Sequence, residues 1–166
     1  MPSTYVSLAK NTLTSATDIV SFNSFSGYTD LILIIRTQPT TDNANAYKLT
    51  FNNDSTSTFW GMTNISALSS IDQSVRTQNE GTARWFQRQS GIQQTGLILH
   101  IMNYASANTY KTIISKTFSD NAALVSYDYN TWTSNTAVTS LELFWDPTGN
   151  KQKVGSTYEL YGVLCA

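Results

Sequence analysis

The residues able to do chemistry are few and scattered. There is one histidine, His100, and one cysteine, Cys165. A serine or cysteine nucleophile needs a base beside it, and His100 is the only imidazole to serve. It sits in the alternating run Leu97 to Met102, which puts Leu99 and Ile101 on one strand face and His100, with Ile98 and Met102, on the other. No G-x-S-x-G stretch accompanies it, so a structural or surface histidine is expected. One histidine and one distant cysteine do not make a zinc ligand set, and Cys165 reads as a free thiol with no disulfide partner in the chain. Asp42-Asn43-Ala44-Asn45 and Asn52-Asn53-Asp54-Ser55 are rich in oxygen, but neither belongs to a calcium loop with the required central glycine and terminal glutamate. Asx residues are ordinary turn formers. Glycine-rich phosphate loops are missing as well. No metal and no cofactor are expected.

Two sets of residues carry more interest. Glu142 and Glu159 lie in two late strands, each out of phase with its large apolar neighbours, and could share a sheet face. Paired carboxylates are what glycoside hydrolysis uses, yet glutamates on strand faces are commonly surface residues. No catalytic residue is assigned, and the chain is not expected to be an enzyme. Trp60, Trp85, Tyr104 and Trp132 fall near strand ends or in loops. Rings so placed either stack on sugar, with asparagines bonding the hydroxyls, or fill a subunit interface. These four are the candidate contact residues, for glycan or for protein.

The elements that must hold these residues are strands. Charged residues are 13% of the chain, about half the usual share, and roughly a third of the chain is Ser, Thr or Asn. Thr suits a pleated surface, while Ser and Asn favour turns. The 166 residues fit a single domain, 1–166. The net charge is −1 and the Lys and Arg residues do not cluster, which argues against nucleic acid as a partner. The apolar stretch Leu31 to Ile35 is too short to cross a bilayer, and the first residues lack the pattern of a secretory signal. A protein made in a reducing cytoplasm, with no membrane partner, is the expectation.

Leu31-Ile32-Leu33-Ile34-Ile35 is continuous, as in a strand buried on both faces at the centre of a sheet. Tyr47, Leu49 and Phe51 alternate with Lys48, Thr50 and Asn52, as a half-buried strand should. Leu97 to Met102, Leu124 to Tyr129, Val138 to Trp145 and Tyr158 to Val163 supply further strands. The stretch Ser66 to Gly81 reads as a long loop with at most one helical turn. The sum is nine or ten strands, all-β, in a two-sheet antiparallel sandwich of jelly-roll type.

Two stretches then stand out. The first is Tyr5-Val6-Ser7-Leu8, Thr12-Leu13, Ile19-Val20-Ser21-Phe22 and Tyr28-Thr29-Asp30-Leu31-Ile32-Leu33. The second is Gly155-Ser156-Thr157-Tyr158-Glu159-Leu160-Tyr161-Gly162-Val163. With Phe51-Asn52-Asn53-Asp54 and Asn103-Tyr104-Ala105 between them, they resemble a set of small structural proteins of tailed bacteriophages. The resemblance runs in patches from about residue 4 to 163 and rests on strand and turn phrases. It implies a jelly-roll-like virion component with no catalytic residues. The first expectation is a capsid decoration or cement protein acting as a homotrimer on the major capsid protein or other virion proteins. The alternative is a tail, fibre or baseplate module that binds host surface glycan. A carbohydrate-active enzyme using Glu142 and Glu159 is the third.

Overall fold

A computed structural model describes residues 5–41, 46–54, 56, 59–66, 73–86, 94–119, 124–146 and 149–164. Among these residues the chain forms twelve strands and no helix. In chain order they are β1 (Tyr5–Thr12), β2 (Ile19–Asn23), β3 (Asp30–Thr37), β4 (Ala46–Phe51), β5 (Phe59–Ser66) and β6 (Gln73–Glu80). Then come β7 (Ala83–Phe86), β8 (Thr95–Met102), β9 (Lys111–Ser119), β10 (Leu124–Trp132), β11 (Ser140–Asp146) and β12 (Thr157–Val163). The eight-stranded sheet has the order β1-β12-β3-β8-β9-β10-β5-β6, and the four-stranded sheet the order β2-β11-β4-β7. All pairings between these strands are antiparallel.

Without β5, β6, β9 and β10, the order is β1-β12-β3-β8 over β2-β11-β4-β7. Those are the two four-stranded sheets of a jelly roll. The other four strands are two hairpins, β5–β6 inserted between β4 and β7, and β9–β10 inserted between β8 and β11. Both hairpins add to the β8 edge and widen one sheet only. Twelve strands exceed the nine or ten expected, and part of the excess lies in the stretch read as a loop. Gln73–Glu80 is the strand β6, joined to β5 by main-chain pairing. It holds one large apolar residue, Val75, so no period-2 signal marks it. Polar composition is normal for an edge strand, where it discourages pairing with other chains.

The core lies between the sheets. Leu31, Leu33 and Ile35 of β3 face Leu49 and Phe51 of β4 and Leu141 and Leu143 of β11 across it, and all are buried. Burying such a side chain contributes about 1.5–3 kcal/mol. The ring of Tyr47 packs 4.8 Å from that of Trp145. Gly162 faces this layer because the ring of Tyr28 lies on it; a Cβ there would stand 2.3 Å from the ring.

One buried amide clips the two sheets together. Gln152, fully buried, accepts at Oε1 from the hydroxyls of Tyr47 (2.6 Å, small sheet) and Tyr158 (large sheet). Its Nε2 donates to the carbonyl of Leu143 at 3.1 Å and reaches that of Asp18 at 3.4 Å. Burial pushes the Tyr47 hydroxyl well above its ordinary pKa, with Tyr158 adding to the effect, and burial also raises Tyr158. A second clip is Asn52, in the left-handed region at φ 55°. Its Nδ2 donates to the Ala137 carbonyl at 2.8 Å, and its Oδ1 accepts from the amides of Thr139 (2.7 Å) and Ser140 (3.2 Å). The turn after β4 is thereby fastened to the start of β11.

Candidate interaction face

In the jelly-roll part of the molecule the alternation is ordinary, with apolar side chains inward. In the inserted hairpin β9–β10 it is reversed. The inward positions of β9 carry Ser115, Thr117 and Ser119, and those of β10 carry Ser126, Asp128 and Asn130, all buried. Ser126 Oγ donates to Asp128 Oδ2 at 3.0 Å. The outward positions carry Ile114 and Phe118 on β9, and Val125, Tyr127 and Tyr129 on β10, each between 37% and 56% exposed. Strand pairing fixes which side chains share a face, because directly opposed residues point the same way.

The registers extend this apolar surface across the sheet. One cross-strand row reads Tyr161, Ile32, His100, Ile114, Tyr129 and Met62 over six neighbouring strands. The next reads Glu159, Ile34, Ile98, Lys116 and Tyr127. The third reads Arg36, Gly96, Phe118 and Val125. At about 4.8 Å per strand, the first row spans roughly 24 Å. Gly96 is the place where a close approach is required. The ring of Phe118 packs against it, and a Cβ at Gly96 would stand 2.0 Å from that ring.

Nine large apolar side chains are exposed here: the five of β9–β10 with Ile34, Ile98, Trp60 and Met62. With about half of each open to water, they present on the order of 800 Å². A lone soluble protein seldom shows more than about 300–600 Å² in one apolar patch, while a standard interface buries about 800 Å² per partner. The polar groups lie mostly at the margin. Lys10 pairs with Glu159 at 2.7 Å, and the Tyr161 hydroxyl donates to the same carboxylate at 2.6 Å. These hydrogen bonds, Lys10's first, hold the Glu159 carboxyl below its usual pKa. Asp30 accepts at Oδ1 from the Asn103 amide at 2.8 Å, with Oδ2 2.8 Å from His100 Nε2. Lys116, central in the patch, lies 5.6 Å over the Tyr127 ring. An apolar centre with a polar rim is the usual anatomy of an interface.

The candidate residues read from the sequence separate here. Trp60 stands on this face, 42% exposed and opposite Thr131. Trp85 stands opposite Tyr47 in the β4–β7 register, and its side chain lies outside those described. Tyr104 and Trp132 are not contact residues, since both are buried in the chain's own core. Tyr104 packs edge-on against Phe25 at 5.5 Å, while its carbonyl accepts from the Val138 amide at 2.8 Å. Trp132 is on the inward phase of β10, 5.2 Å from the Phe51 ring, with Lys111 Nζ 5.8 Å above it. Glu142 and Glu159 do not share a face, because β11 and β12 belong to different sheets. His100 lies on the outward face with Ile98 and Met102, as its spacing predicts.

Of the two oxygen-rich loops, 42–45 lies outside the described residues, as do Ser55 and Cys165. At the other, Asp54 Oδ1 accepts from the amide and the hydroxyl of Thr56, both at 2.7 Å, so its oxygen is spent on the turn. Among the described residues no three His, Cys, Asp or Glu side chains gather as a metal site. The reversed alternation of β9 and β10 was the unused signal: Ile114, Phe118, Val125, Tyr127 and Tyr129 alternate with Ser, Thr and Asp. Periodicity identifies such strands and cannot say which phase faces inward. No model of a known protein family matches the chain, and no curated protein matches it in sequence.

Proposed function

We propose that this chain is a structural subunit of a tailed-bacteriophage particle, a decoration or cement protein that assembles as a homotrimer on the capsid. In this reading the outward face of the large sheet is buried against its neighbours. The observation that supports it is the apolar outward phase of β9 and β10, which no part of the described chain covers. The strand and turn phrases resembling phage structural proteins supply the kind of assembly. A cement protein stabilises the assembled shell by preferring the bound state, and only to the extent of that preference.

The test is made on purified particles that carry the protein. Quantitative mass spectrometry is expected to count it in hundreds of copies, as shell decoration requires, and particles lacking it are expected to lose heat resistance. A few copies per particle would move it to the tail and overturn the decoration reading. Equal heat resistance with and without the protein would eliminate cementing.

A further inference from the structure

The far side of the sandwich carries a different kind of surface. A cleft of about 400 Å³ opens on the outward face of the small sheet, within the usual range of roughly 300–1,000 Å³ for small-molecule sites. Two cross-strand pairs contribute to its lining, Phe144 with Ile19 and Glu142 with Thr50. Asp18, before β2, and Asn53, at φ 52° in the turn after β4, complete the part that matters chemically.

Three features mark the cleft as a binding site. First, Asp18 and Glu142 bring two carboxylates to it, and among the described residues no ion pair engages either. The nearest lysine in register, Lys48 opposite Phe144, is held by Asp146 at 3.3 Å. Second, Asn53 is exposed at the cleft and offers an amide that both donates and accepts. Third, Ile19 and Phe144 give it an apolar wall.

The ligand must satisfy all three. An anion is repelled by two carboxylates. An organic ammonium has donors only and leaves the amide donor of Asn53 unmatched. A neutral saccharide ring fits the whole set. Its hydroxyls donate to carboxylate oxygens and accept from the Asn53 amide, while its C–H face lies on Phe144 and Ile19. We propose that this cleft binds a neutral saccharide, with Glu142 and Asp18 as hydroxyl acceptors and Phe144 as the platform. The site faces away from the apolar side of the large sheet, so a copy docked through that side keeps the cleft open to solvent.

Saturation-transfer NMR on the full chain, against a panel of common neutral mono- and disaccharides with ethylammonium as a cation probe, tests the proposal. Ring-proton transfer is expected from at least one neutral sugar. Losing a charge-assisted hydrogen bond weakens binding by about ten-fold or more, so Glu142→Gln should reduce affinity by that factor. Phe144→Ala, which removes the platform and leaves the carboxylates, should do the same, and Ile98→Glu on the opposite side should leave the sugar affinity unchanged. Circular dichroism verifies that each variant is folded. No transfer from any neutral sugar, transfer from ethylammonium alone, or sugar binding equally strong in both cleft variants would each overturn the proposal.

Discussion

Replacing Gln152 by leucine keeps the volume of a buried side chain and removes the amide that joins the two sheets. The Tyr47 hydroxyl then loses its 2.6 Å acceptor, and the Leu143 carbonyl loses a 3.1 Å donor. Tyr158 keeps hydroxyl neighbours in Thr37, whose Oγ1 lies 3.0 Å away, Ser156 and Tyr47. An orphaned buried polar group costs about 1–3 kcal/mol, so Gln152→Leu should destabilise the fold by about 3 kcal/mol. That is a large share of the roughly 5–15 kcal/mol typical of a domain. In a chain of this size it corresponds to about 6–12 °C in Tm. Urea unfolding followed by tryptophan fluorescence gives the value, and an unchanged m-value shows that the same surface is exposed. The sharper part of the test is a cycle with Tyr47→Phe. Once the amide is gone, removing the hydroxyl relieves an orphan, so the double variant should be less damaged than the sum of the singles by about 1 kcal/mol or more. A cost under about 1 kcal/mol for Gln152→Leu, or additivity within about 0.5 kcal/mol, would refute the view that this amide fastens the sheets.

Three further outcomes are expected. Ile98→Glu combined with Tyr127→Glu puts two carboxylates beside the single Lys116 in the middle of the apolar face; the fold should survive, since both positions are exposed, while sedimentation velocity should find the variant monomeric where the wild type associates. At position 52, glycine keeps the left-handed backbone that alanine strains and both lose the side-chain bonds, so Tm should fall in the order wild type, Asn52→Gly, Asn52→Ala, the last by about 2–3 kcal/mol in stability. Lys111 is buried, with Nζ donating to the carbonyls of Ser106 (2.5 Å) and Thr109 (2.9 Å), and burial lowers its pKa from 10.5; the unfolded chain therefore holds the proton more tightly, and the stability of the wild type relative to Lys111→Met should rise with pH on approaching that value.

The jelly-roll half of this fold was readable because its strands obey one rule. In β3, β4, β8, β11 and β12 the apolar phase is the inward phase, and period-2 alternation finds both strand and face. Even there the run Leu31 to Ile35 misled in one respect: it reads as buried on both faces, whereas Ile34 is 40% exposed. A continuous apolar run reports two faces that avoid water and does not say whether the second cover comes from the same chain. The pairing order was not readable, since it depends on contacts between distant segments. Tyr104 and Trp132 were misplaced for a local reason. Tyr104 follows a strand end where the chain, turning at Asn103 with φ 54°, folds the ring inward. Trp132 shares its phase with Ser126, Asp128 and Asn130, residues that ordinarily mark the solvent side. The cleft on the small sheet was out of reach for a third reason: Glu142, Thr50 and the pair Asp18-Ile19 come from three segments that only the β2-β11-β4 pairing joins.

The position of β12 has a consequence for the birth of the chain. It is the last strand in sequence and lies between β1 and β3, two of the first three. A ribosome delivers β1 and β3 long before the strand that separates them, and the partners of β3 on both sides, β8 and β12, come late. The nascent chain must keep two unpaired edges from meeting each other, or a neighbouring nascent chain, until Thr157–Val163 has cleared the exit tunnel. Folding of this kind, dominated by pairing between distant segments, is slow, and synthesis rate and temperature should decide the yield of folded protein more than the stability of the finished sandwich does.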